Sequence, residues 1–597
     1  MIIQPQGLYQ KLKPYFSFLY FCLLTIILFS GNTVSLWDQD EAAYAGFARN
    51  MIESGNWIIP EFTWSEVHRK PPLHFWNIAL SYKLFGENEF AVRFPSALFT
   101  LLTYLVVFFA IRKIADTRLA LQTVIVISTT LLVPTLAKVS VTDSTLLFFT
   151  TVCAFALYFI LEKKSWLWVF IFWVSFALAL LTKGPPVIIF SIIFITLLAI
   201  LHPARKNLIM LHPWIFLPLA LLPFSAWAYS TIKYDDGNFL NWMLDWYVLK
   251  RINSSVFGQT GFPGMHLLMI ILFFLPWIIF LPKSFKDIWI SIRKDKSVGL
   301  FFAAWFFAAW FFYEFSPSKL PSYVVAAHIP LAFFIAGNLN TALLNRKKFV
   351  PVIIVLNISL QIIGWIVLLP VVEPFRNTSK KVSEYVRTNA DKNITVLIGN
   401  DRYSPPSLPF YLGADNKNVV VQTDLAELIS NFYKNESSAF ILSKKQAELF
   451  KKLIPENKFH AVTSPPFAQS LMNDYYLFIK PITNEIDSAS SELVSNTYIE
   501  KPLTIEVYET NIRNSKDWLN GLKEHAAKEK MGLDEMIKLE ATWIRDKLTV
   551  KYACRIQMLH SKKWRSGIEK RAKLNKKSFA EQCETDADFI FENRFVR

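Results

Sequence analysis

Eleven apolar stretches in the first 371 residues restrict this chain to a narrow set of folds. About 20 apolar residues in a row are enough for a helix to cross the ~30 Å hydrocarbon core of a bilayer. A helix suits this environment because it satisfies its own backbone hydrogen bonds where no water is present. The sequence therefore predicts a polytopic α-helical membrane protein. The stretches centre on residues 15–36, 94–111, 119–137, 144–161, 166–181, 185–201, 209–230, 263–282, 299–315, 322–338 and 349–371.

The composition agrees with this class. Charged residues make up 18% of the chain, against about 25% in a typical soluble domain. Further surface or re-entrant helices are expected in the loop of residues 37–93, which brings the total to about 11–13 spans. The formal charge of +16 does not predict nucleic-acid binding, because the basic residues of the first 371 positions are scattered through short loops without a recognition motif.

The positive charges fall in alternate loops, and this predicts the topology. Loops rich in Lys and Arg stay on the cytoplasmic side of the membrane. The N-terminus is then cytoplasmic and the tail after residue 371 external, which in a bacterial inner membrane means periplasmic. The first apolar stretch has no small-residue cleavage site, so we expect a retained span. The basic loops contain Lys11 and Lys13; Arg112, Lys113 and Arg118; Lys163 and Lys164; Arg205 and Lys206; Lys283 to Lys296; and Arg346, Lys347 and Lys348.

Several charged residues fall on the predicted external face, close to the ends of spans. The acidic pair Asp40 and Glu41 directly follows the first span. A carboxylate can accept a proton from a reacting hydroxyl, and cations can bind a departing phosphate. Each residue alone is equally typical of a capping or snorkelling side chain, but together they predict a cavity for a lipid phosphate. The other charged residues on this face are Lys70, Asp143, Lys183, Arg251 and Lys319.

Four motifs in this order resemble the GT-C membrane glycosyltransferases, and among them the lipid A aminoarabinose transferases, which are related to protein O-mannosyltransferases. The motifs are Asp40-Glu41, Arg69-Lys70-Pro71-Pro72, the turn at Lys183-Gly184, and Lys319-Leu320-Pro321-Ser322-Tyr323. The resemblance covers roughly residues 15–480. It implies an enzyme that moves a sugar from a polyprenyl-phosphate carrier to an acceptor outside the cytoplasm.

The resemblance also implies roles for individual residues. It places the catalytic aspartate at Asp40, and we add Glu41 and Asp143 as further candidate catalytic carboxylates. Lys319 is also compatible with a structural role in its loop. The candidates for binding the donor phosphate are Lys70, Arg251, Lys183, Tyr323 and Lys319.

One departure from the family bears on metal binding. Family members have a Glu before the Lys-Pro pair, linked to a divalent metal cation, whereas this chain has Arg69. A cation at this position argues against a metal there, and the sequence leaves open whether a metal binds elsewhere. The adjacent His68 is expected to be an ordinary loop residue.

The sequence leaves alternatives open for the acceptor and for the class of function. Lipid A or another envelope glycolipid is the expected acceptor, and protein Ser or Thr is the alternative; the sugar is a pentose or a hexose. A transporter of a lipid-linked substrate is a less favoured reading. Transporters place their binding groups near the bilayer midplane and often contain inverted repeats, and this sequence shows neither.

The tail divides into two segments by composition. After the transmembrane domain of residues 1–371, residues 372–483 alternate short apolar runs with amphipathic stretches, which predicts a small periplasmic α/β domain. Residues 484–597 are predicted to form a mostly helical basic domain, whose charges are compatible with anionic lipid binding or with a solvated face. We expect a disulfide between Cys554 and Cys583, because an external compartment permits it.

Overall fold

The computed structural model divides the chain into two compact units, Met1–Phe375 and Arg376–Arg597. The segments that the sequence analysis treats as two tail domains both lie in the second unit. The structure describes residues 15–37, 40–62, 68–245, 261–293, 298–344, 349–372, 379–389, 395–399, 406–413, 419–422, 428, 432, 438–454, 460–461, 468–469, 474–480, 505–529, 531–560 and 562–595.

The first unit is helical throughout its described part. Short 3-10 segments, among them Trp277–Phe280 and Pro321–Ala327, join some of its helices. Its helices are α1 (Phe16–Phe29), α2 (Asp40–Ser54), α3 (Leu73–Phe85), α4 (Glu89–Ile114), α5 (Thr117–Ser128), α6 (Leu132–Leu136), α7 (Thr142–Glu162), α8 (Trp166–Lys183), α9 (Pro186–Leu201), α10 (Pro213–Asp235), α11 (Asn238–Leu244), α12 (Met265–Phe273), α13 (Leu281–Arg293), α14 (Val298–Phe315), α15 (His328–Leu344), α16 (Phe349–Gln361) and α17 (Leu369–Val372).

Each of the eleven predicted apolar segments contains apolar helix. Among the described residues, seven helices are long and apolar enough to cross a membrane, and a bent pair makes up to eight. Three more segments are apolar helices of 10–17 residues, namely α1, α5 and α9. The loop between the first two predicted spans carries α2 and α3, which are the additional helices expected there. The chain is therefore a multi-pass membrane protein.

Two of the predicted spans are interrupted, and the residues at the two interruptions are hydrogen-bonded to each other. The predicted segment 119–137 is split between α5 and α6, and the segment 263–282 is split after α12. The Leu131 backbone N–H donates to the Phe273 carbonyl at 2.9 Å, and the Trp277 indole donates to Thr129 Oγ1 at 2.9 Å. These bonds satisfy polar groups that the breaks would otherwise leave bare inside the membrane.

The second unit contains a mixed six-stranded sheet with the order β2-β1-β3-β6-β4, and β5 pairs with β6. Strand β1 runs parallel to β2 and β3, whereas β6 is antiparallel to β3. The expected α/β pattern of residues 372–483 is thus present in the described residues. The elements are α18 (Ser379–Asn389), β1 (Thr395–Gly399), α19 (Ser407–Leu412), β2 (Val419–Gln422), β3 (Ser438–Leu442), α20 (Lys444–Leu453), β4 (His460–Ala461), β5 (Ala468–Gln469) and β6 (Asp474–Lys480).

The last three C-terminal helices share a hydrophobic core with this sheet. Ile568 and Ala587 belong to the same buried cluster as Leu397 and Phe440 of the strands. The hydrophobic core of the sheet therefore includes residues beyond position 483. The C-terminal helices are α21 (Ile505–Asn514), α22 (Lys516–Glu529), α23 (Leu533–His560), α24 (Lys562–Asn575) and α25 (Phe579–Phe595).

The structure does not agree with the predicted disulfide, because Cys583 is a buried free cysteine on α25. It packs in the shared core with Met558 and Ala587, where a thiol behaves as a small apolar side chain. Burial raises the pKa of its thiol to about 11, so the reactive thiolate is disfavoured. The side chain of its predicted partner, Cys554, lies outside the described residues.

Candidate active site

Asp40 is the first residue of α2, and one of its carboxylate oxygens collects three polar contacts. Asp40 Oδ1 accepts a hydrogen bond from the Tyr44 hydroxyl at 3.0 Å, and lies 3.0 Å from His68 Nδ1. Lys70 Nζ donates to the same oxygen at 3.3 Å. Tyr44 reaches it because residues four apart share one face of a helix. The sequence placed Asp40 and Lys70 in one site, and the structure brings them into contact.

The surroundings of Asp40 favour its ionised form. Burial of the carboxyl group opposes ionisation, but the charge of Lys70 and the hydrogen bonds from His68 and Tyr44 outweigh it. The pKa of Asp40 therefore lies well below its usual value. The side chain is still 47% exposed, so a reactant can approach this carboxylate.

Glu41 is turned away from Asp40 and is almost fully buried. Its two oxygens accept hydrogen bonds from Arg93 Nε at 2.8 Å and Arg93 Nη2 at 2.7 Å. They also accept from the backbone N–H groups of Ser140 at 2.8 Å and Trp37 at 2.9 Å. With both oxygens occupied, Glu41 cannot act on a substrate. We therefore correct its expected catalytic role to a structural one.

A cavity of about 360 Å³ opens beside Lys70. Its charged lining residues are Lys70, Asp143 and Lys183, and Tyr323 adds a phenol. Lys183 Nζ donates to Asp143 Oδ1 at 2.7 Å, so these two predicted site residues form an ion pair within the cavity wall. The apolar part of the lining includes Leu146, Leu180, Ile188, Ile189, Phe224, Met243, Leu244, Phe312 and Phe315.

Local structure fixes the cations of this cavity. Lys183 ends α8, and Gly184 follows with φ +76°, a left-handed conformation that glycine adopts without strain. Lys70 lies in the turn before α3, where its ammonium group sits 4.6 Å from the centre of the Tyr44 ring and also contacts the Tyr44 hydroxyl. Both lysines thereby face a common space from different elements.

Lys319 lies outside this lining. Its Nζ donates to the backbone carbonyls of Tyr313 at 3.0 Å and Glu314 at 2.5 Å, at the end of α14. A cation there satisfies carbonyl groups that the helix leaves unpaired and complements the helix dipole. We therefore assign Lys319 a structural role in place of the expected phosphate contact. Arg251, the remaining predicted cation, lies outside the described residues.

Comparison with known proteins agrees with this arrangement. The family described as "Dolichyl-phosphate-mannose-protein mannosyltransferase" matches residues 69–229. An undecaprenyl phosphate-alpha-4-amino-4-deoxy-L-arabinose arabinosyl transferase of Wigglesworthia glossinidia brevipalpis is 27% identical over 342 residues, or 56% of this chain. A protein of the same name from Shewanella sediminis is 28% identical over 328 residues, or 54% of this chain.

The fold is also similar to that of a solved membrane protein. The crystal structure of ArnT from Cupriavidus metallidurans bound to undecaprenyl phosphate superposes with a TM-score of 0.65 at 18% identity, covering 77% of this chain and 97% of that one. The chain therefore shares the fold of this membrane protein and is similar in sequence to the arabinosyl transferases over just over half of its length. It spans about 60% of the length of the first curated relative and 59% of the second.

Within this fold, two histidines near the site escaped the sequence analysis. His68 was expected to be an ordinary loop residue, but it contacts Asp40. His74, in the first turn of α3, lies 3.2 Å from Thr145 Oγ1 and 3.3 Å from Ser140 Oγ. Burial, and then the charge of Lys70, lower the pKa of His74 to about 3, so it is neutral and holds α3 against α7. A single histidine carries no periodic signal that would reveal such contacts.

In the part of the chain that the structure describes, this site does not offer a donor set for a metal ion. Among the described residues, no group of three or more His, Cys, Asp or Glu side chains could hold one. The neighbours of Asp40 include the Lys70 ammonium, and Arg69 brings a guanidinium group 5.9 Å from the centre of the Phe239 ring. The Lys70 ammonium group beside Asp40 disfavours a further positive charge at that carboxylate, so we assign no metal to Asp40.

Proposed function

We propose that this protein is an integral membrane glycosyltransferase that moves a sugar from a polyprenyl-phosphate donor to an acceptor outside the cytoplasm, with lipid A as the first candidate acceptor. The observation that carries the proposal is the position of Lys70. Its ammonium group binds Asp40 and also lines the cavity. A phosphate held in the cavity would therefore lie next to the carboxylate that serves the acceptor.

The cavity suits the donor's two chemical parts. Its walls are mainly apolar, as an isoprenoid chain requires, while Lys70 and Lys183 offer positive charge to a phosphate. Lys183 is neutralised in part by Asp143, so a bound phosphate would compete with that carboxylate for its ammonium group. Hydrogen bonds between ionised groups are about twice as strong as neutral ones. Tyr323 lines the same space and adds a possible hydroxyl donor.

The proposed reaction needs one bond made and one broken at the sugar. The acceptor oxygen bonds to the anomeric carbon, the bond from that carbon to the phosphate oxygen breaks, and the polyprenyl phosphate keeps the electron pair. Asp40 takes the proton of an acceptor hydroxyl, and the lysines balance the charge of the leaving phosphate. The low pKa of Asp40 keeps the carboxylate ionised at neutral pH, and because it is then a weak base, it takes the proton only as the acceptor oxygen bonds to the anomeric carbon.

The names of the relatives support the donor class. The curated relatives are named as transferases of 4-amino-4-deoxy-L-arabinose from undecaprenyl phosphate, and the Cupriavidus metallidurans structure is bound to undecaprenyl phosphate. We therefore propose a pentose, aminoarabinose, as the first sugar to test and a hexose as the second. Protein Ser or Thr is the alternative acceptor, because the matched family is described as a protein mannosyltransferase.

A transfer assay tests the proposal. The full chain in proteoliposomes is given undecaprenyl phosphate loaded with aminoarabinose or with a hexose, together with lipid A or an unstructured Ser/Thr-rich protein. Mass spectrometry then measures sugar on each acceptor. We expect sugar on lipid A from the aminoarabinose donor. Glycosylated protein alone would shift the assignment to the protein class, and no product from any pair would contradict the proposal.

Donor binding is tested separately from transfer. Lys70→Met and Arg251→Gln should each weaken binding of undecaprenyl phosphate in isothermal titration, because each removes a cation from the expected phosphate site. Lys113→Met is the matched control, since its ammonium group lies 4.6 Å from the centre of the Phe159 ring and not in the cavity. Unchanged affinity in both site variants would place the phosphate elsewhere.

We also propose that the protein lies in a bacterial inner membrane, with its N-terminus in the cytoplasm and its second unit in the periplasm. The alternation of basic loops supports this orientation. A cysteine introduced at Lys392 in a background without native cysteines should react with a membrane-impermeant maleimide in intact spheroplasts. Labelling that occurs only after lysis would invert the orientation.

A further inference from the structure

Helix α13 follows a sharp bend in the chain. It belongs to the pair Met265–Phe273 and Trp277–Arg293, which is bent by 117° at its break. Asn338, next to the last residue of the span Pro321–Leu339, donates to Ser284 Oγ at 3.1 Å and Asp287 Oδ2 at 2.9 Å. These contacts fix α13 against the end of that candidate span.

The two sides of α13 differ in the way expected of a helix in the membrane interface. Its buried side contains Leu281, Ser284, Ile288 and Ser291. Its exposed side carries three cations together with Trp289 and Ile290, and this combination is typical of helices that lie among lipid head groups. The exposed cations are Lys283, Lys286 and Arg293.

The described residues provide no carboxylate that balances the positive charge of this side. Asp287, the acidic residue of α13, is bound to Asn338 and is only partly exposed. Within the described residues, no carboxylate pairs with Lys283, Lys286 or Arg293; Arg293 instead sits 4.3 Å from the centre of the Trp289 ring. Lys283, Lys286 and Arg293 are therefore available to bind an anionic ligand.

An apolar groove begins beside these cations. Its volume is about 190 Å³, and its lining is formed by Phe285, Ile288 and Trp289 of α13 together with residues of α12 and α14. Phe285 and Phe306 form its floor, with ring centres 5.9 Å apart. No charged residue lines it. The remaining lining residues are Leu267, Phe307 and Trp310.

We propose that α13 and this groove form a binding site for an anionic phospholipid, with one acyl chain in the groove and the head-group phosphate on Lys283, Lys286 and Arg293. The site is distinct from the donor cavity, because none of its lining residues is shared. Such a lipid would tie the bent segment to the bilayer. Each basic residue near an anionic lipid surface contributes about 1 kcal/mol, so three predict a preference on the order of 100-fold over a neutral lipid.

Native mass spectrometry of the full chain tests this proposal. The protein is exchanged from detergent into equimolar phosphatidylglycerol and phosphatidylcholine, and the retained lipids are counted. We expect a retained phosphatidylglycerol that is lost in Lys283→Gln/Lys286→Gln/Arg293→Gln. The matched control, Lys163→Gln/Lys164→Gln/Lys206→Gln, removes three exposed lysines from other loops and should keep the lipid.

The groove is tested by filling it. Leu267→Trp should lower retention of both lipids without changing the head-group preference, because it blocks the acyl chain and leaves the cations in place. Retention that survives both site variants, or that falls equally in the control, would overturn the proposal. Retention of added undecaprenyl phosphate in place of phosphatidylglycerol would also overturn it. Thermal unfolding in detergent identifies any variant that has merely lost its fold.

Discussion

Arg93 binds both carboxylate oxygens of Glu41, through Nε at 2.8 Å and Nη2 at 2.7 Å. The same guanidinium group donates to the backbone carbonyls of Asn32 at 3.0 Å, Val34 at 2.6 Å and Ser35 at 3.0 Å. Arg93 therefore holds the loop that leads from α1 into α2. Because Asp40 is the neighbour of Glu41, this contact sets where the candidate catalytic carboxylate lies.

We predict that Glu41→Gln destabilises the protein strongly. Removing one partner of a buried ion pair costs about 3–5 kcal/mol, because the other charge is left uncompensated. Thermal unfolding in detergent measures the loss. The control is Asp534→Asn, which breaks the contact with Arg513 between side chains that are 86% and 47% exposed and should cost about 1 kcal/mol or less. Equal losses in the two variants would contradict the structural role of Glu41.

Asp40→Asn should lower the transfer rate and leave the fold intact. The substitution keeps the shape of the side chain but removes the proton acceptor, whose contribution is typically 10²–10⁴-fold. The measurement is kcat for sugar transfer in proteoliposomes. Asp236→Asn is the control, since Asp236 is exposed at φ +56°, a conformation that Asn tolerates. A variant at Asp40 that transfers sugar at the wild-type rate would remove Asp40 from the mechanism.

The lowered pKa of Asp40 predicts how stability depends on pH. A carboxyl whose pKa is lower in the folded than in the unfolded chain stabilises the fold above the unfolded value, which is about 3.9 for Asp. This stabilisation is lost as the pH falls towards the folded value. The difference in Tm between wild type and Asp40→Asn should therefore be largest near neutral pH and shrink below about pH 4. A difference that grows on acidification would show that the pKa is raised.

The pair of Lys183 and Asp143 should behave as one unit in a double-mutant cycle. Each single change, Lys183→Met or Asp143→Asn, disrupts a 2.7 Å ion pair and leaves the partner in the cavity wall. The double variant removes both members, so its loss of stability should be smaller than the sum of the single losses by about 0.5–3 kcal/mol. Strict additivity in thermal unfolding would mean that the two groups do not interact.

Lys138 is predicted to anchor the end of α1. Its buried ammonium group donates to the carbonyls of Leu28 at 3.1 Å and Ser30 at 2.6 Å, to Asn32 Oδ1 at 3.3 Å, and to the Ile27 carbonyl. Lys138→Met leaves these acceptors bare, and an unsatisfied buried group costs about 1–3 kcal/mol. Its Tm should fall well below that of Lys113→Met, a change at an exposed lysine. A similar Tm in the two variants would contradict the anchoring role.

Much of the architecture follows from the sequence, because long apolar stretches have few ways to satisfy their backbone in a membrane. The segments around 94–111 and 144–161 became single long helices, as predicted. The breaks after Ser128 and Phe273 were not predicted. Hydropathy reports the apolar character of a segment, whereas the breaks depend on partners from distant parts of the chain, such as Thr129 for the Trp277 indole.

In the candidate site, too, some features were predicted from the sequence and others were found only in the structure. The predicted topology placed Asp40, Lys70, Lys183 and Asp143 on one face, and in the structure Lys70 contacts Asp40 while Lys183 contacts Asp143. The sequence could not distinguish Asp40 from Glu41, since both are acidic and adjacent at the same rim. Only the fold leaves Asp40 partly exposed beside Lys70 and turns Glu41 towards Arg93.

By itself the sequence determined the membrane class, the helical segments and the set of charged residues near one face, because hydrophobic length and charge order are local properties. The tertiary structure alone decided the role of each charge. Lys319 became a helix cap and His68 a partner of Asp40, since a side chain's role depends on which groups distant segments bring within hydrogen-bonding distance.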